Sequence, residues 1–223
     1  MREIVFDTET TGLSPGEGHR IVEIGCVELI HRVETGRTFH AYLNPDRSVP
    51  EEVVRIHGLT DAFLAEKPRF AEVVEEFIDF IGDDPLVAHN ASFDMGFVNA
   101  ELKRCGRPPI FFERAIDTVA IARTKFPGAK HNLDALCTRF AIDRSARTFH
   151  GALLDAQLLA QVYVELLGGR QIGFELAAVA AEAAAVSVER PFVAARAHHA
   201  TPAELAAHAA FVAKLNDPVW LLA

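Results

Sequence analysis

Apolar and polar positions change rhythm partway along this chain. Residues 2–7 form a short apolar run, and two more follow at 21–29 (IVEIGCVEL) and 37–43 (RTFHAYL). Runs of this length and composition predict strands. The ETG at 34–36 predicts the hairpin turn between the second and third, with Gly36 taking positive φ. From residue 70 the rhythm is helical. Phe70, Val73, Val74, Phe77, Ile78 and Ile81 recur at the spacing of one helix face across 70–81. A short strand at 86–89 (LVAH) follows, then a helix through SFDMGFVNAELKRCG that Gly106 ends. A strand near 114–117 leads into a helix over 118–125, and further helices fit 132–140 and 152–167. A meander followed by alternating strands and helices predicts an α/β fold, a mixed sheet with helices on its faces.

The pattern loosens at Gly168–Gly169. Residues 168–223 hold 18 alanines in 56 positions. The stretch AAVAAEAAAV at 177–186 suits a helix by propensity or a loose tether. Near the end, Thr201, Pro202 and Glu204 form the signature of a capped helix start. Leu205, His208, Ala209 and Val212 fall on one face of that helix. Trp220 follows it, placed to anchor on another surface or to pack back on its own domain.

Composition adds limits. Half of the 223 residues are hydrophobic, enough for a core, and no apolar run reaches the length of a membrane span. The first strand begins at Arg2, which leaves no room for a signal peptide. Cys26, Cys105 and Cys137 are far apart, outside any metal-binding spacing, and are expected to be reduced core residues of a cytoplasmic protein. A net charge of −9 argues against a basic groove that wraps duplex nucleic acid. It does not argue against an enzyme that grips a strand end through metal ions, because part of the negative charge would then belong to the metal site.

The candidate chemistry begins at DTETTG, residues 7–12, where the first strand ends. Asp7 and Glu9 are two residues apart, so both side chains point to one face. Two acids on one face repel unless water covers them or a cation lies between. HNASFD places Asp94 in the first turn of the helix after strand 86–89. FHGALLDA adds His150 and Asp155. Five helical residues turn the chain by about 500°, so these two would not share a helix face. Gly151 places His150 in the loop before the helix, leaning over a site that Asp155 reaches from the helix. Carboxylate oxygens suit Mg²⁺ or Mn²⁺ rather than zinc. Two such ions about 3.5–4 Å apart clamp both sides of an in-line phosphoryl displacement. His150 can take the proton from the attacking water. Taken singly, DTET fits a solvated turn and HNASFD fits simple helix capping by Asn90 or Ser92.

Taken together, DTETTG, HNASFD and FHGALLDA resemble the three exonuclease motifs of the DEDDh 3′→5′ exonucleases, which have a ribonuclease H-like fold. The resemblance covers about residues 1–167. IVEIG, IHGLTD, KPRFAEVVEEFIDFI, NLDALC and LLDAQLLAQVYVELLGG are similar to its proofreading branch, the exonuclease subunits of bacterial replicative polymerases. The resemblance implies that Asp7, Glu9, Asp155 and Asp94 bind two divalent metal ions, with Asp7 bridging, and that His150 is the general base. It also implies a terminal-nucleotide pocket of Leu13, Glu52, His57, Asn90 and Phe93 beside Asp7, Glu9 and Asp155. Leu13 and Phe93 fit a core as well, and His57 fits a helix end.

Residues 1–169 would then be the exonuclease domain, helices covering both faces of the sheet. In 170–176, Gln171, Phe174 and Leu176 resemble a sliding-clamp-binding peptide, 177–198 a linker, and 199–223 with Trp220 a tail that docks on the polymerase catalytic (alpha) subunit. The expected substrate is a single-stranded or frayed DNA 3′ end, with no membrane involved. The core motifs leave an exoribonuclease open, and the tail argues for DNA. A purely scaffolding chain would be expected to lack a site residue, and all five are present.

Overall fold

In the computed structural model, the described residues are 1–145, 147, 149–169 and 199–216. A five-stranded sheet forms the centre, in the order β3-β2-β1-β4-β5. Its strands are β1 (Arg2–Thr10), β2 (Ile21–Ile30), β3 (Val33–Tyr42), β4 (Leu86–Ala88) and β5 (Ala115–Asp117). The first three form the antiparallel meander, and β1, β4 and β5 run parallel. The helices are α1 (Glu51–His57), α2 (Asp61–Leu64), α3 (Phe70–Ile81), α4 (Ala91–Arg104), α5 (Thr118–Lys125), α6 (Leu133–Arg139) and α7 (Ala152–Leu166), with α8 (Pro202–Val212) in the tail.

Strand alternation divides the core in two. Ile4 and Phe6 of β1 join Ile24 and Cys26 of β2 in a cluster with Phe70, Val74 and Phe77 of α3 and Met95, Phe97 and Leu102 of α4. Val5, Val27 and Leu29 face the other way, onto Ala122 of α5, Leu136 of α6 and Ala156, Leu159 and Val162 of α7. Helices therefore cover both faces, as a sheet apolar on both sides requires. α7 is buried nearly all round, on ten of its fifteen residues, as a central core helix must be. Among the cysteines, Cys26 and Cys137 are buried and Cys105 is half-buried, and all are free thiols.

The hairpin differs from expectation. The turn is His31–Arg32, both in the left-handed region (φ 53° and 65°), and not the ETG at 34–36. Two such residues give the tight turn whose twist matches that of the flanking strands. Gly36 does take positive φ (83°), but inside β3. There three β3 residues stand between the pairs Leu29↔Glu34 and Val27↔Thr38, opposite Glu28 alone. The resulting bulge brings Thr35 and Arg37 onto the buried Glu28 carboxylate, at 2.7 and 2.8 Å.

In the tail, the cap on α8 is as predicted. Glu204 N–H donates to Thr201 Oγ1 at 3.3 Å and Thr201 N–H to Glu204 Oε2 at 2.7 Å. Gln171, Phe174, Leu176, the 177–198 segment and Trp220 lie outside the described residues. No helix among the described residues is long and apolar enough to cross a membrane.

Candidate active site

The acidic residues meet at the C-terminal ends of β1 and β4, where α4 and α7 begin. In sheets with parallel strands this edge forms the natural crevice. Asp7 and Glu9 share the face of Val5, on the α7 side. Thr8 points the other way, where its N–H and hydroxyl donate to Asp94 Oδ1 at 3.1 and 2.7 Å. Asp94 is in the first turn of α4 and Asp155 in the first turn of α7, and both are buried. A carboxylate in a first helical turn is favoured by the helix dipole and nearby free N–H groups.

One close approach makes this assembly possible. Gly25 of β2 lies opposite Asp7 in the sheet. A Cβ there would come within 2.3 Å of Leu153 N and 2.4 Å of its Cα. Only glycine lets the first turn of α7 pack so close to the sheet, and that turn carries Asp155. His150 lies in the loop before α7, as Gly151 predicted, and its N–H donates to Ile56 O of α1 at 3.1 Å.

Ligand atoms of Glu9, His150 and Asp155 lie within 4.8 Å of one another. Asp7 and Asp94 fall outside that group but share its field. Burial first, then Asp94, Glu9, Asp155 and Glu23, push Asp7 well above the usual carboxylate range. Glu9 is raised to about 8 by burial, then by Asp155, Glu23 and Asp94, with Arg147 pulling the other way. Burial raises Asp94 to about 7 against the Thr8 hydrogen bonds. Burial is the largest cause for all three, with neighbouring carboxylates adding to it for Asp7 and Glu9, and a divalent cation among them would relieve the conflict. The all-oxygen acids with one imidazole suit a hard divalent cation.

Neither Asn90 nor Ser92 caps α4 with its side chain; Asn90 takes left-handed backbone instead (φ 71°). A cavity of about 350 Å³ opens beside Glu9, lined by Leu13, Glu52 and Phe93 among others. Leu13 is 85% exposed and so belongs to no core. Phe93 serves both roles, packing on the core and lining the cavity. Asn90 and His57 are not in its wall. His57 ends α1 and is buried; its Nδ1 accepts from Leu59 N–H at 3.0 Å. Its Nε2 therefore carries the hydrogen and faces the backbone of Thr10, without a hydrogen bond of normal geometry among the described residues. Burial lowers the pKa of this ring.

Sequence reasoning missed three participants. Thr8 holds Asp94, and its place between the two acids of DTET was the available signal. Glu23, opposite Glu9 in the register, is a buried carboxylate that contacts His40 Nε2 at 2.7 Å. Arg147 grips Asp155 through two contacts of 2.6 Å. Nothing in the sequence marks Arg147 beyond its place three residues before His150.

The sequence profile of the exonuclease family, described as "Exonuclease", matches residues 4–163. The DNA polymerase III subunit epsilon of Rickettsia felis is 54% identical over 179 residues, 79% of this chain and 78% of that one. That of Escherichia coli is 52% identical over 176 residues, 76% of this chain and 72% of that one. Among solved structures, exonuclease X in complex with 5′ overhanging duplex DNA superposes with a TM-score of 0.58 at 29% identity, over 74% of this chain and 90% of that one. The nuclease domain of 3′hExo, a DEDDh family member bound to rAMP, shares the fold, with a TM-score of 0.65 at 21% identity over 74% and 91% of the two chains. On this evidence the chain belongs to the exonuclease family, has DNA polymerase III epsilon subunits among its relatives, and is a 3′→5′ exonuclease.

Proposed function

We propose that the chain proofreads DNA within a bacterial replicase, hydrolysing the last phosphodiester of a 3′ end and releasing nucleoside 5′-monophosphates. The observation that carries this reading is the convergence of Asp7, Glu9, Asp94 and Asp155 beside His150 at one sheet edge. Family membership implies dependence on divalent metal ions. Asp7, Glu9 and Asp155 would hold two of them, Mg²⁺ or Mn²⁺, with Asp7 shared and Asp94 acting partly through water. Such ions supply Lewis-acid polarisation of the phosphodiester and acidify the attacking water.

The side chains do the rest. His150, half-exposed at the rim, receives the proton of the attacking water. Leu13 and Phe93 offer apolar faces against the terminal base, which stacks with little regard to its identity. Glu52, His57 and Asn90 hold the terminal nucleotide from α1 and from the start of α4. Mismatch preference needs no base reading, because a frayed end costs less to unpair.

Partners follow from the relatives. These are named as DNA polymerase III subunits, which supports association with that polymerase in the cytoplasm; residues 199–223 are assigned to its alpha subunit. The 170–176 peptide with Gln171, Phe174 and Leu176 is assigned to the sliding clamp. The duplex complex of exonuclease X supports a DNA substrate.

The test is degradation of a labelled DNA primer that is single-stranded, matched or terminally mismatched, with an RNA strand of the same sequence. Each is run with Mg²⁺, with Mn²⁺ and with chelator. Metal-dependent loss of single 3′ nucleotides is expected, faster from the mismatch and slow on RNA. Preference for RNA would overturn the proofreading assignment.

A further inference from the structure

Arg147 sits where a cation is wanted. Its Nε and Nη2 each donate to Asp155, at 2.6 Å, and its Nη1 donates to Asp134 Oδ1 at 2.8 Å. Nη2 also lies 2.8 Å from His150 Nδ1. A guanidinium has no acceptor, so His150 Nδ1 must accept, and a neutral ring then carries its hydrogen on Nε2. His150 Nδ1 and Asp155 Oδ2 are 3.3 Å apart. Two acceptors this close repel unless a cation bridges them. Arg147 is that bridge, and it engages both the carboxylate assigned to metal and the lone pair assigned to the base.

The side chain has somewhere to go. A cavity of about 670 Å³ opens next to it, lined by Arg55, Ile56, Asp134, Arg144, Phe149 and His150 among others. Asp134, on the rim of that cavity, already holds the far end of the guanidinium. Arg147 can therefore leave Asp155 without losing every partner.

We propose that Arg147 is a resident cation of the site, a positioning residue that holds Asp155 and His150 together until a divalent metal ion takes its place. This rests on the metal assignment of the preceding section. Arg147 and the metal ion compete for Asp155. When the ion binds, the guanidinium withdraws toward Asp134 and frees the His150 lone pair.

Calorimetric titration of the full chain with Mn²⁺, together with thermal unfolding in chelator, tests this. Arg147→Gln is expected to bind Mn²⁺ about tenfold more tightly, from the loss of charge-assisted contacts that must otherwise be broken. Its metal-free melting temperature is expected to fall, because the carboxylates lose their counter-charge. Arg147→Lys, with one point charge in place of a fork, is expected to fall between. Arg144 donates to Asp134 Oδ1 at 2.7 Å, and Arg144→Gln is expected to leave Mn²⁺ affinity unchanged. A purely structural arginine would lower stability and metal affinity together. Unchanged or weaker Mn²⁺ binding by Arg147→Gln would overturn the proposal, and the same result in Arg147→Lys would do so if the glutamine variant does not fold. Absence of Mn²⁺ binding by the unsubstituted chain would instead overturn the metal assignment, and this inference with it.

Discussion

The carboxylate cluster and the apolar cavity beside it share Glu9 but are built on opposite principles. The cluster is held by regular structure: the end of β1, the first turns of α4 and α7, and a glycine contact that lets α7 approach. Its acids resist ionisation, chiefly because they are buried and, for Asp7 and Glu9, also because other carboxylates crowd them. The cavity joins the end of β1 and Phe93 of α4 to side chains from the following loop and the short helix α1, with Leu13 almost fully in solvent. Chemistry needs positions fixed to a fraction of an ångström, whereas stacking on any base tolerates adjustment. Substitutions in the cluster should thus stop turnover, and those in the cavity should weaken binding.

The sharpest way to break that contrast is to remove an acid or the base. Asp155→Asn or Asp7→Asn should lower kcat by roughly a thousandfold or more, since such groups act as a unit. His150→Ala should cost about 10²–10⁴-fold. Retained turnover in single-turnover assays of folded variants would remove that residue from the mechanism. Gly25→Ala comes next. The added methyl must displace the backbone of Leu153, an overpacking cost of about 1–3 kcal/mol. Asp155 moves with it, so urea unfolding and kcat should both fall. A variant with normal activity would mean that the tight approach of α7 is dispensable.

In the cavity the effect changes kind. Leu13→Ala should raise KM by roughly 5- to 100-fold, the worth of one stacked base at about 1–3 kcal/mol. Stability should not change, because Leu13 buries almost nothing. A loss confined to kcat would erase the distinction between the two regions.

The smallest effect is on stability against pH. Glu9 and Asp94 have folded pKa values of about 8 and about 7, above the ordinary carboxylate range of an unfolded chain. The folded state then holds these protons more tightly. Their contribution to stability is full below pH ~4 and is lost as pH rises through about 7 and 8. In chelator, the melting temperature should fall steadily between pH 5 and pH 8.5. Divalent metal ions should restore more stability at pH 8.5 than at pH 5. A flat metal-free profile would mean that the acids are not in conflict.

Much of this was legible in the sequence, for particular reasons. Periodicity exposed α3, whose apolar face recurs at helical spacing, and short apolar runs marked β1 and β2. The five residues that converge at this edge stood out because their order and spacing are specific. What stayed hidden depended on partners distant in sequence. The hairpin turn fell on His31–Arg32, where no glycine marks it, and Gly36 drew attention because its bulge also needs positive φ. Helix α1 is seven residues long and too short to show a period. Arg147 is an ordinary arginine until α7 brings Asp155 to it, and Glu23 is one of many strand glutamates until register sets it opposite Glu9.

The central claim is that the clustered acids are a divalent-cation site. Anomalous scattering from crystals soaked in Mn²⁺ tests it most directly. Two peaks are expected among Asp7, Glu9, Asp94 and Asp155, both absent when Asp7 is replaced by Asn. Peaks that persist without Asp7, or lie elsewhere on the surface with this edge empty, would contradict it.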